Sequence, residues 1–258
     1  MEDRQFSGKV VLVTGATSGI GKACALAFAR QGAKVACVGR KQNALATVID
    51  EIKSGRGEAL PVKADLAIAS EADDVISQVT AAFSGLDVLV NAAGHISSGT
   101  IENTSDEAWD DMMNVNVRAA FRLMRQAMPH LIERKGNVVN VSSVTGLRSF
   151  PGVLAYCVSK SAVDQLTRCS ALEVAAKGVR INAVNPGVVV TEIHKRGGMN
   201  NDAYEAFLEH SKETHPLGRV GQPEEIAALV TFLASDQARW ITGATCSIDG
   251  GRHLTCAR

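Results

Sequence analysis

Three side chains near the middle of the sequence have the types and the spacing that proton transfer requires: Ser143, Tyr156 and Lys160. Tyr156 and Lys160 are four residues apart, so a helix would present them on the same face. A nearby ammonium group favours the ionised form of a phenol and lowers its pKa. Ser143 follows an apolar run that is typical of a strand. We therefore expect Tyr156 to act as an acid near neutral pH while Ser143 holds the oxygen being protonated. The alternative is that Tyr156 and Lys160 share a helix face by chance.

Short apolar runs alternate with longer segments of helical period along the chain. The predicted strands are Val10–Thr14, Lys34–Val38, Ala59–Ala64, Leu86–Asn91, Asn137–Ser142, Arg180–Asn185 and Thr245–Asp249. The predicted helices are Lys22–Arg30, Gln42–Lys53, Glu71–Phe83, Asp106–Glu133, Ala155–Ala176 and Pro223–Ala234. Strands buried on both faces read as continuous apolar runs, and the intervening helices supply the crossovers. The pattern predicts an α/β fold, a doubly wound parallel sheet with helices on both faces, in a single domain (1–258).

A glycine-rich turn, Thr14–Gly21, joins the first predicted strand to the first helix. Glycines let the backbone turn sharply and approach a pyrophosphate at the positive end of a helix. The spacing is G-x-x-x-G-x-G, which differs from the G-x-G-x-x-G fingerprint and also fails the pattern of a nucleoside-triphosphate loop. A glycine turn without a ligand is the alternative. The residues that we expect to bind a dinucleotide here are Gly15, Thr17, Ser18, Gly19, Ile20 and Gly21.

The end of the second predicted strand indicates which dinucleotide is bound. An acidic residue there would bind the ribose hydroxyls of NAD(H), whereas an arginine accommodates the 2′-phosphate of NADP(H). Gly39 stands where the acid would be, and Arg40 follows it. The sequence therefore predicts NADP(H), with NAD(H) less favoured. A solvated basic pair, Arg40 and Lys41, is the alternative.

Two further strand ends could line the same cofactor. Asp65-Leu66 closes the third strand, where a carboxylate could meet the adenine amino group. Asn91, Ala93 and Gly94 close the fourth, where small side chains leave room for a ribose. As isolated segments, both are also ordinary turns between a strand and a loop.

Two polar residues follow the fourth strand. His95 could touch the substrate, or it is a loop histidine whose hydrogen bonds are satisfied. Asn116 falls within a predicted helix, where asparagine is unfavourable. It either lines the site or faces solvent.

A long irregular stretch, predicted at about 188–216, follows the sixth strand. Proline and glycine at its start enforce a turn, and Thr191 could hydrogen-bond a carboxamide. A long loop in a compact domain is usually functional, and its placement predicts a lid over the substrate. The residues that we expect to contact the cofactor here are Pro186, Gly187, Val189 and Thr191.

Composition narrows the classes of partner. The 258 residues carry a formal net charge of zero and 4% aromatic residues, which argues against nucleic acid or an anionic membrane as a partner. The six cysteines form no C-x-x-C pair, and the histidines after the sixth strand lack metal-ligand spacing, so we expect reduced thiols and no metal.

The N-terminus has no apolar signal region, and no run approaches about 18 apolar residues. We expect a cytoplasmic protein.

Taken together and in order, these motifs resemble the short-chain dehydrogenase/reductase family, from about Lys9 to Gly251. Within this family, the chain resembles the NADP(H)-preferring type and is similar to 3-oxoacyl reductases and carbonyl reductases. It implies a seven-stranded Rossmann-type fold, a nicotinamide cofactor, and a catalytic tetrad of Asn116, Ser143, Tyr156 and Lys160. It also implies that Lys160 holds the nicotinamide ribose, that Asn116 anchors a water, and that the protein is a homotetramer (or homodimer). Ala92 departs from the family, which often has a second asparagine there.

These observations predict an oxidoreductase that transfers a hydride between NADP(H) and a small-molecule carbonyl compound or secondary alcohol. One alternative is an NAD-dependent alcohol or hydroxysteroid dehydrogenase, which the pair Gly39-Arg40 argues against. The other is a cofactor-binding regulator without turnover, which an intact Ser143, Tyr156 and Lys160 argues against. Leu147, Phe150 and Met199 would favour an apolar or mixed substrate. Arg148 either attracts an anionic substrate or is solvated.

Overall fold

The computed structural model describes residues 4–255, which fold around a parallel sheet. Its strands are β1 (Val10–Thr14), β2 (Lys34–Gly39), β3 (Glu58–Lys63), β4 (Val88–Asn91), β5 (Asn137–Val141), β6 (Arg180–Pro186) and β7 (Thr245–Ile248). They lie in the order β3-β2-β1-β4-β5-β6-β7, and each neighbouring pair is parallel. The predicted doubly wound, seven-stranded sheet is confirmed.

Helices alternate with the strands and cover both faces of the sheet. They are α1 (Gly19–Arg30), α2 (Gln42–Ser54), α3 (Ala69–Phe83), α4 (Asp106–Met113), α5 (Ala119–Arg134), α6 (Leu154–Val174), α7 (Ile193–Arg196), α8 (Asn201–Thr214) and α9 (Pro223–Ala234). Within residues 4–255, no helix combines the length and the apolar character that crossing a bilayer requires.

Alternation along the central strand divides the core into two halves. Val11 and Val13 point into one hydrophobic cluster, with side chains of α1, α2 and α9. Val10 and Leu12 point into the other, with side chains of α3, α5 and α6. Each buried valine or leucine contributes on the order of 2 kcal/mol relative to an exposed one. The sheet is therefore a rigid platform with a helical layer on either side.

The strand order reverses between β1 and β4. From β1 the chain passes outward through β2 to β3, and from β4 it passes the other way through β5 and β6 to β7. In parallel sheets, the loops that follow the two strands at such a reversal diverge and leave a crevice beyond their carboxyl ends. Most catalytic and cofactor residues predicted from the sequence fall on strand ends, loops and helix starts at this end of the sheet, and Asn116 lies in a helical turn between α4 and α5.

The predicted irregular stretch at about 188–216 is instead largely helical, because it contains α7 and α8. The side chain of Asn200 caps α8 by accepting a hydrogen bond from the Ala203 N–H at 2.9 Å. Asp202 lies in the first turn, where the helix dipole favours an acid. Tyr204 and Ser211 form its buried side. The prediction of an irregular stretch was wrong because the abundant charges here obscured Asn200 as the capping residue of α8.

Candidate active site

Ser143, Tyr156 and Lys160 are brought together at the carboxyl end of β5. Ser143 lies two residues beyond β5 and caps a short 3-10 turn, accepting a hydrogen bond from the Thr145 N–H at 3.1 Å. Tyr156 and Lys160 project from the first turns of α6. All three side chains are buried. The predicted helix face and the predicted strand end therefore do form one cluster.

Lys160 is fixed by the strand that precedes Ser143. Its Nζ donates to the carbonyl of Val141 at 2.9 Å and lies 5.6 Å from the centroid of the Tyr156 ring. Burial lowers the pKa of Lys160 to about 8, and the nearby carboxylate of Asp164 acts in the opposite direction. The ammonium therefore lies between a backbone carbonyl and an aromatic face, and it is charged at neutral pH.

The pKa of Tyr156 differs from the sequence-based expectation. Burial raises it to about 12, a hydrogen bond with Ser143 acts in the opposite direction, and the neighbouring Cys157 adds to the rise. The expectation of a lowered pKa was wrong, because removing the phenol from water penalises the phenolate more than the hydrogen bond with Ser143 favours it. The phenol of Tyr156 is protonated at neutral pH.

A buried polar network beneath the cluster was not predicted. Asn185, at the end of β6, donates through Nδ2 to the carbonyl of Ser143 at 3.0 Å and to both carboxylate oxygens of Asp164. Asp164 is buried on α6, and burial raises its pKa, opposed by hydrogen bonds from Ser142 and Asn185. The network ties β6, α6 and the Ser143 loop into one unit. Only its position one helical turn after Lys160 could have drawn attention to Asp164.

Asn116 lies within a widened helical turn. The predicted helix Asp106–Glu133 is interrupted between α4 and α5 by a π-turn, Asn114–Arg118. The side chain of Asn116 is buried, accepts from the His95 N–H at 3.0 Å, and donates to the His95 carbonyl at 3.0 Å and to Ser159 Oγ at 3.1 Å. Single π-turns often occur at functional sites. Asn116 thus faces inward and fixes the loop that follows β4.

Gly94 shows how close the fourth tetrad member lies to Lys160. A Cβ added to Gly94 would lie 3.1 Å from Asn116 Oδ1 and 3.7 Å from Lys160 Nζ. One point at the end of β4 therefore lies within reach of both polar atoms. The four residues of the predicted tetrad all line the same end of the sheet.

The glycine turn after β1 leaves backbone donors available. Gly15 has a φ of 64°, and a Cβ added to it would lie 3.0 Å from the Ala92 carbonyl and the Ala93 Cα. A side chain on Gly21 would collide with the Gly15 carbonyl. Ser18 precedes α1, its side chain does not cap the helix, and the first turn contains no acidic residue. The first N–H groups of α1 are therefore free for an anion.

Thr14 is a site residue that the sequence analysis missed. Its Oγ1 accepts hydrogen bonds from the N–H groups of Ala92 and Ala93 at 2.9 and 3.0 Å, and so joins β1 to the loop after β4. The side chain of Asn91 turns to the next strand, where its Nδ2 donates to Asn140 Oδ1 at 2.8 Å. Its buried Oδ1 has no hydrogen-bond partner within the described residues. Asn91 therefore links β4 to β5 through the Nδ2 group of its side-chain amide.

The residues predicted at the adenosine end lie on the two strands beyond β1. Arg40 is exposed after β2 and lies 3.9 Å from the carboxylate of Asp65, which follows β3. A Cβ on Gly39 would lie 2.5 Å from the Thr17 methyl group, so an acid at position 39 would displace Thr17. Leu66 is buried in the core cluster that contains α3, which leaves only its backbone for a ligand.

The segment after β6 is anchored by two aromatic side chains. His215 Nε2 accepts from the Val188 N–H at 3.1 Å, while its Nδ1 donates to the Ser211 carbonyl at 2.6 Å. The Tyr204 hydroxyl accepts from the Thr191 N–H at 3.1 Å and donates to its carbonyl at 2.9 Å. Gly187 lies against His215, because an added Cβ would be 2.8 Å from Nε2. Pro186 ends β6, and Val189 is buried in the core.

Two further residues are occupied by other contacts. His95 Nε2 lies 3.1 Å from the carboxylate of Asp111, and burial is the largest cause of its lowered pKa. Arg148 donates to the carbonyls of Arg252 and His253 at 3.2 and 3.3 Å. Arg148 is therefore neither a solvated arginine nor a side chain reserved for an anionic substrate. It holds the segment after β7.

The crevice fits a nicotinamide dinucleotide. The N–H groups at the start of α1, which no side chain caps, suit the pyrophosphate, and Gly15 and Gly21 let the turn pack closely against the loop after β4 and against itself. Arg40 offers a guanidinium beyond β2 for a 2′-phosphate. Lys160, Tyr156 and Ser143 lie together beyond β5. The end of β4 therefore lies between this cluster and the glycine turn after β1.

Comparison with known proteins gives consistent matches over nearly the whole chain. A family model described as enoyl-(acyl carrier protein) reductase matches residues 15–253. The 3-oxoacyl-[acyl-carrier-protein] reductase FabG of Thermotoga maritima is 36% identical over 96% of this chain and 98% of its own. An uncharacterized oxidoreductase of the same organism is 40% identical over 95% of this chain and 98% of its own. A Caenorhabditis elegans short-chain dehydrogenase/reductase of unknown function, solved with cofactor, superposes with a TM-score of 0.93 at 33% identity and 98% coverage of both chains.

Proposed function

Because the chain belongs to the short-chain dehydrogenase/reductase family of oxidoreductases, we propose that it transfers a hydride between NADP(H) and a carbonyl compound. The observation that carries this proposal is the convergence of Ser143, Tyr156 and Lys160 on one buried cluster at the mouth of the crevice. A regulator without turnover would not need a phenol, an ammonium and a hydroxyl in this arrangement.

The reduced nicotinamide, when bound, supplies the hydride. Tyr156 donates the proton to the carbonyl oxygen, and its raised pKa keeps the phenol protonated at neutral pH. Ser143 hydrogen-bonds the same oxygen and orients the carbonyl. Lys160 binds the nicotinamide ribose and stabilises the phenolate that the transfer leaves behind. Asn116 fixes the loop carrying Gly94 and His95 and anchors the water that links Lys160 to solvent.

The residues that would hold the cofactor come from six strand ends. The backbone of the glycine turn would hold the pyrophosphate, and Arg40 would bind the 2′-phosphate. Asp65 and Leu66 would contact the adenine, and the loop after β6 would contact the nicotinamide. The other residues that would contact the cofactor are Gly15, Thr17, Ser18, Gly19, Ile20, Gly21, Asn91, Ala93, Gly94, Tyr156, Lys160, Pro186, Gly187, Val189 and Thr191.

For the substrate, we propose 3-oxoacyl thioesters as the first class to examine. Two relatives at 36–37% identity, from Thermotoga maritima and Staphylococcus aureus, are named 3-oxoacyl-[acyl-carrier-protein] reductase. The loop after β5 also supplies the partly exposed apolar side chains of Leu147 and Phe150. An apolar rim of this kind suits an acyl chain better than a sugar.

We also propose a cytoplasmic homotetramer, with a homodimer as the smaller alternative. The edge strand β7 has only β6 as a neighbour in the described residues. Phe232 in α9 is exposed, and so are Trp240 and Leu254, which flank β7 in the sequence; Trp240 is exposed almost completely, at 98%. Unpaired edges and exposed large apolar side chains are both typical of surfaces that another chain covers. Light scattering coupled to size-exclusion chromatography measures the mass directly.

The test of the proposed function begins with binding. Purified protein is titrated with NADPH and with NADH, and the reduced-nicotinamide fluorescence is followed. NADPH should bind at least about tenfold more tightly, or about 1.4 kcal/mol. Oxidation of NADPH is then followed with acetoacetyl-coenzyme A and with a panel of ketones and aldehydes. Tight NADPH binding without turnover of any carbonyl, and without oxidation of any alcohol by NADP(+), would contradict the proposal.

A further inference from the structure

The segment after β6, which contains the short helix α7, contacts two loops at this end of the sheet. On one side, the Thr191 methyl group is 3.0 Å from the position that a Cβ on Gly19 would take, in the glycine turn. On the other, a Cβ on Gly197 would lie 2.8 Å from the carbonyl of Ile96, in the loop after β4. The segment after β6 therefore spans the two loops between which the dinucleotide is proposed to lie.

A third contact of this segment is polar. Arg196, the last residue of α7, donates through Nη2 to Ser18 Oγ at 2.9 Å. Ser18 immediately precedes α1. Arg196 is exposed, and within residues 4–255 it makes no ion pair with a carboxylate, whereas its neighbour Lys195 pairs with Glu192 at 3.8 Å. Its guanidinium thus lies at the glycine turn with its charge uncompensated.

This location is electrostatically unfavourable for a cation. The amino end of a helix carries a partial positive charge, and cations are stabilising at the opposite end. The first turn of α1 contains no acidic side chain that would neutralise either charge. A guanidinium facing a helix amino end becomes favourable when an anion lies between them, because both then donate hydrogen bonds to the same oxygens.

From these contacts we propose that Arg196 binds the pyrophosphate of the dinucleotide from the lid side. The inference rests on the proposed NADP(H)-binding function and adds to it a residue outside the glycine turn. Ser18 holds the guanidinium in the absence of the anion. When the dinucleotide is bound, Arg196 and the N–H groups of α1 contact its pyrophosphate from opposite sides. The lid is thereby fastened to the cofactor.

The two arginines should then have separable effects. Arg40 follows β2, where NADP(H) carries a 2′-phosphate and NAD(H) only a ribose hydroxyl. The pyrophosphate is common to NADP(H) and NAD(H). Loss of Arg196 should therefore weaken both cofactors equally, whereas loss of Arg40 should weaken only the phosphorylated one.

The experiment is isothermal titration calorimetry of the full chain with NADPH, NADH and adenosine 2′-monophosphate. The last carries the 2′-phosphate and lacks the pyrophosphate. We expect Arg196→Gln to raise the Kd of NADPH and of NADH about tenfold each, or about 1.4 kcal/mol, and to leave that of adenosine 2′-monophosphate within about twofold. Lys195→Gln removes the same charge one residue earlier on the same helix, and should leave all three Kd values within about twofold.

The outcomes separate this inference from the proposed function. If the wild-type chain binds NADPH and Arg196→Gln binds it equally well, the role of Arg196 is wrong and the proposed function stands. An equal loss for adenosine 2′-monophosphate would also overturn it, because the contact would then lie at the adenosine end. If the wild-type chain binds neither dinucleotide, the proposed function fails and this inference with it.

The midpoint of thermal unfolding distinguishes an arginine that binds the pyrophosphate from one that only stabilises the fold. An arginine that only braced the lid would stabilise the cofactor-free chain, and its removal would lower the midpoint. We expect Arg196→Gln without cofactor to unfold at the same temperature as the wild type or higher, because a cation is removed from the positive end of α1. With saturating NADPH, the midpoint should rise less than that of the wild type. A lowered midpoint without cofactor and an unchanged rise with it would contradict the inference.

Discussion

The ammonium nitrogen of Lys160 lies 5.6 Å from the centroid of the Tyr156 ring, one helical turn away, and both side chains are buried. One environment therefore shifts two groups in opposite directions, lowering the pKa of Lys160 to about 8 and raising that of Tyr156 to about 12. Lys160 therefore loses its proton before Tyr156 does as the pH rises. This order favours Tyr156 as a proton donor in the direction of carbonyl reduction.

Replacing Tyr156 by phenylalanine should remove turnover and preserve the fold. The variant loses only the hydroxyl group that we propose as the proton donor, and general acid catalysis typically contributes about 10²- to 10⁴-fold. We expect the single-turnover rate of NADPH oxidation with an active carbonyl substrate to fall by at least about 100-fold. The Kd of NADPH and the unfolding midpoint serve as controls. Retention of more than about a tenth of the wild-type rate would exclude Tyr156 as the acid.

The lowered pKa of Lys160 makes stability depend on pH with a definite sign. Between pH about 8 and 10.5, the unfolded chain holds more protons at this group than the folded chain does. The free energy of unfolding therefore rises with pH in this window and levels off above it. Relative to Lys160→Met, the wild type should gain up to about 3 kcal/mol across the window. Urea unfolding of both proteins at several pH values measures the difference, and parallel curves would show that burial does not shift this lysine.

Arg40 should decide the preference between the two cofactors. Arg40→Ala is expected to raise the Kd of NADPH at least about tenfold and to leave that of NADH within about twofold. Its ion pair with Asp65 is long and exposed, so its loss should not change the unfolding midpoint. Fluorescence titration with both cofactors gives the result. An equal change for the two cofactors would mean that Arg40 does not contact the 2′-phosphate.

Asn116 should be needed for stability as well as for turnover. Asn116→Ala leaves the half-buried N–H and carbonyl of His95 without their partners, which costs about 1–3 kcal/mol. Asn43→Ala, at an exposed position on α2, is the matched control and should change stability by less than about 0.5 kcal/mol. Urea unfolding measures both variants. Equal stabilities would show that Asn116 does not hold the loop after β4.

The parts of the fold that follow from local patterns were predictable. Continuous apolar runs such as Val10–Thr14 identify buried strands, and the four-residue spacing from Tyr156 to Lys160 identifies a shared helix face. Parallel strands then bring their carboxyl ends to one edge. Contacts between distant residues left no such pattern. Thr14 bonds to an amide 78 residues away, and Arg196 to a hydroxyl 178 residues away.

Burial and local capping explain the remaining differences. The pKa of Tyr156 depends on how completely the phenol is removed from water, and spacing alone does not reveal that. Helix α8 did carry a signal, the capping residue Asn200, but charged residues masked it. The π-turn around Asn116 adds a residue to a helical turn without any change in composition. The sequence indicated that Asn116 is unusual within a helix, but only the structure shows that its side chain points inward.

His215 has a consequence for the acid limb of a pH–rate profile. Both ring nitrogens are committed, since Nε2 accepts from Val188 and Nδ1 donates to Ser211, so the ring must be neutral to hold the start of the segment after β6. Burial lowers the pKa of His215, opposed by the Ser211 carbonyl, and Arg252 and Asp249 also act on it. Stability from this anchor is present above the ordinary histidine value and is lost as pH falls below it. Activity should therefore decline in acid as the segment after β6 loosens, and His215→Gln should flatten that decline.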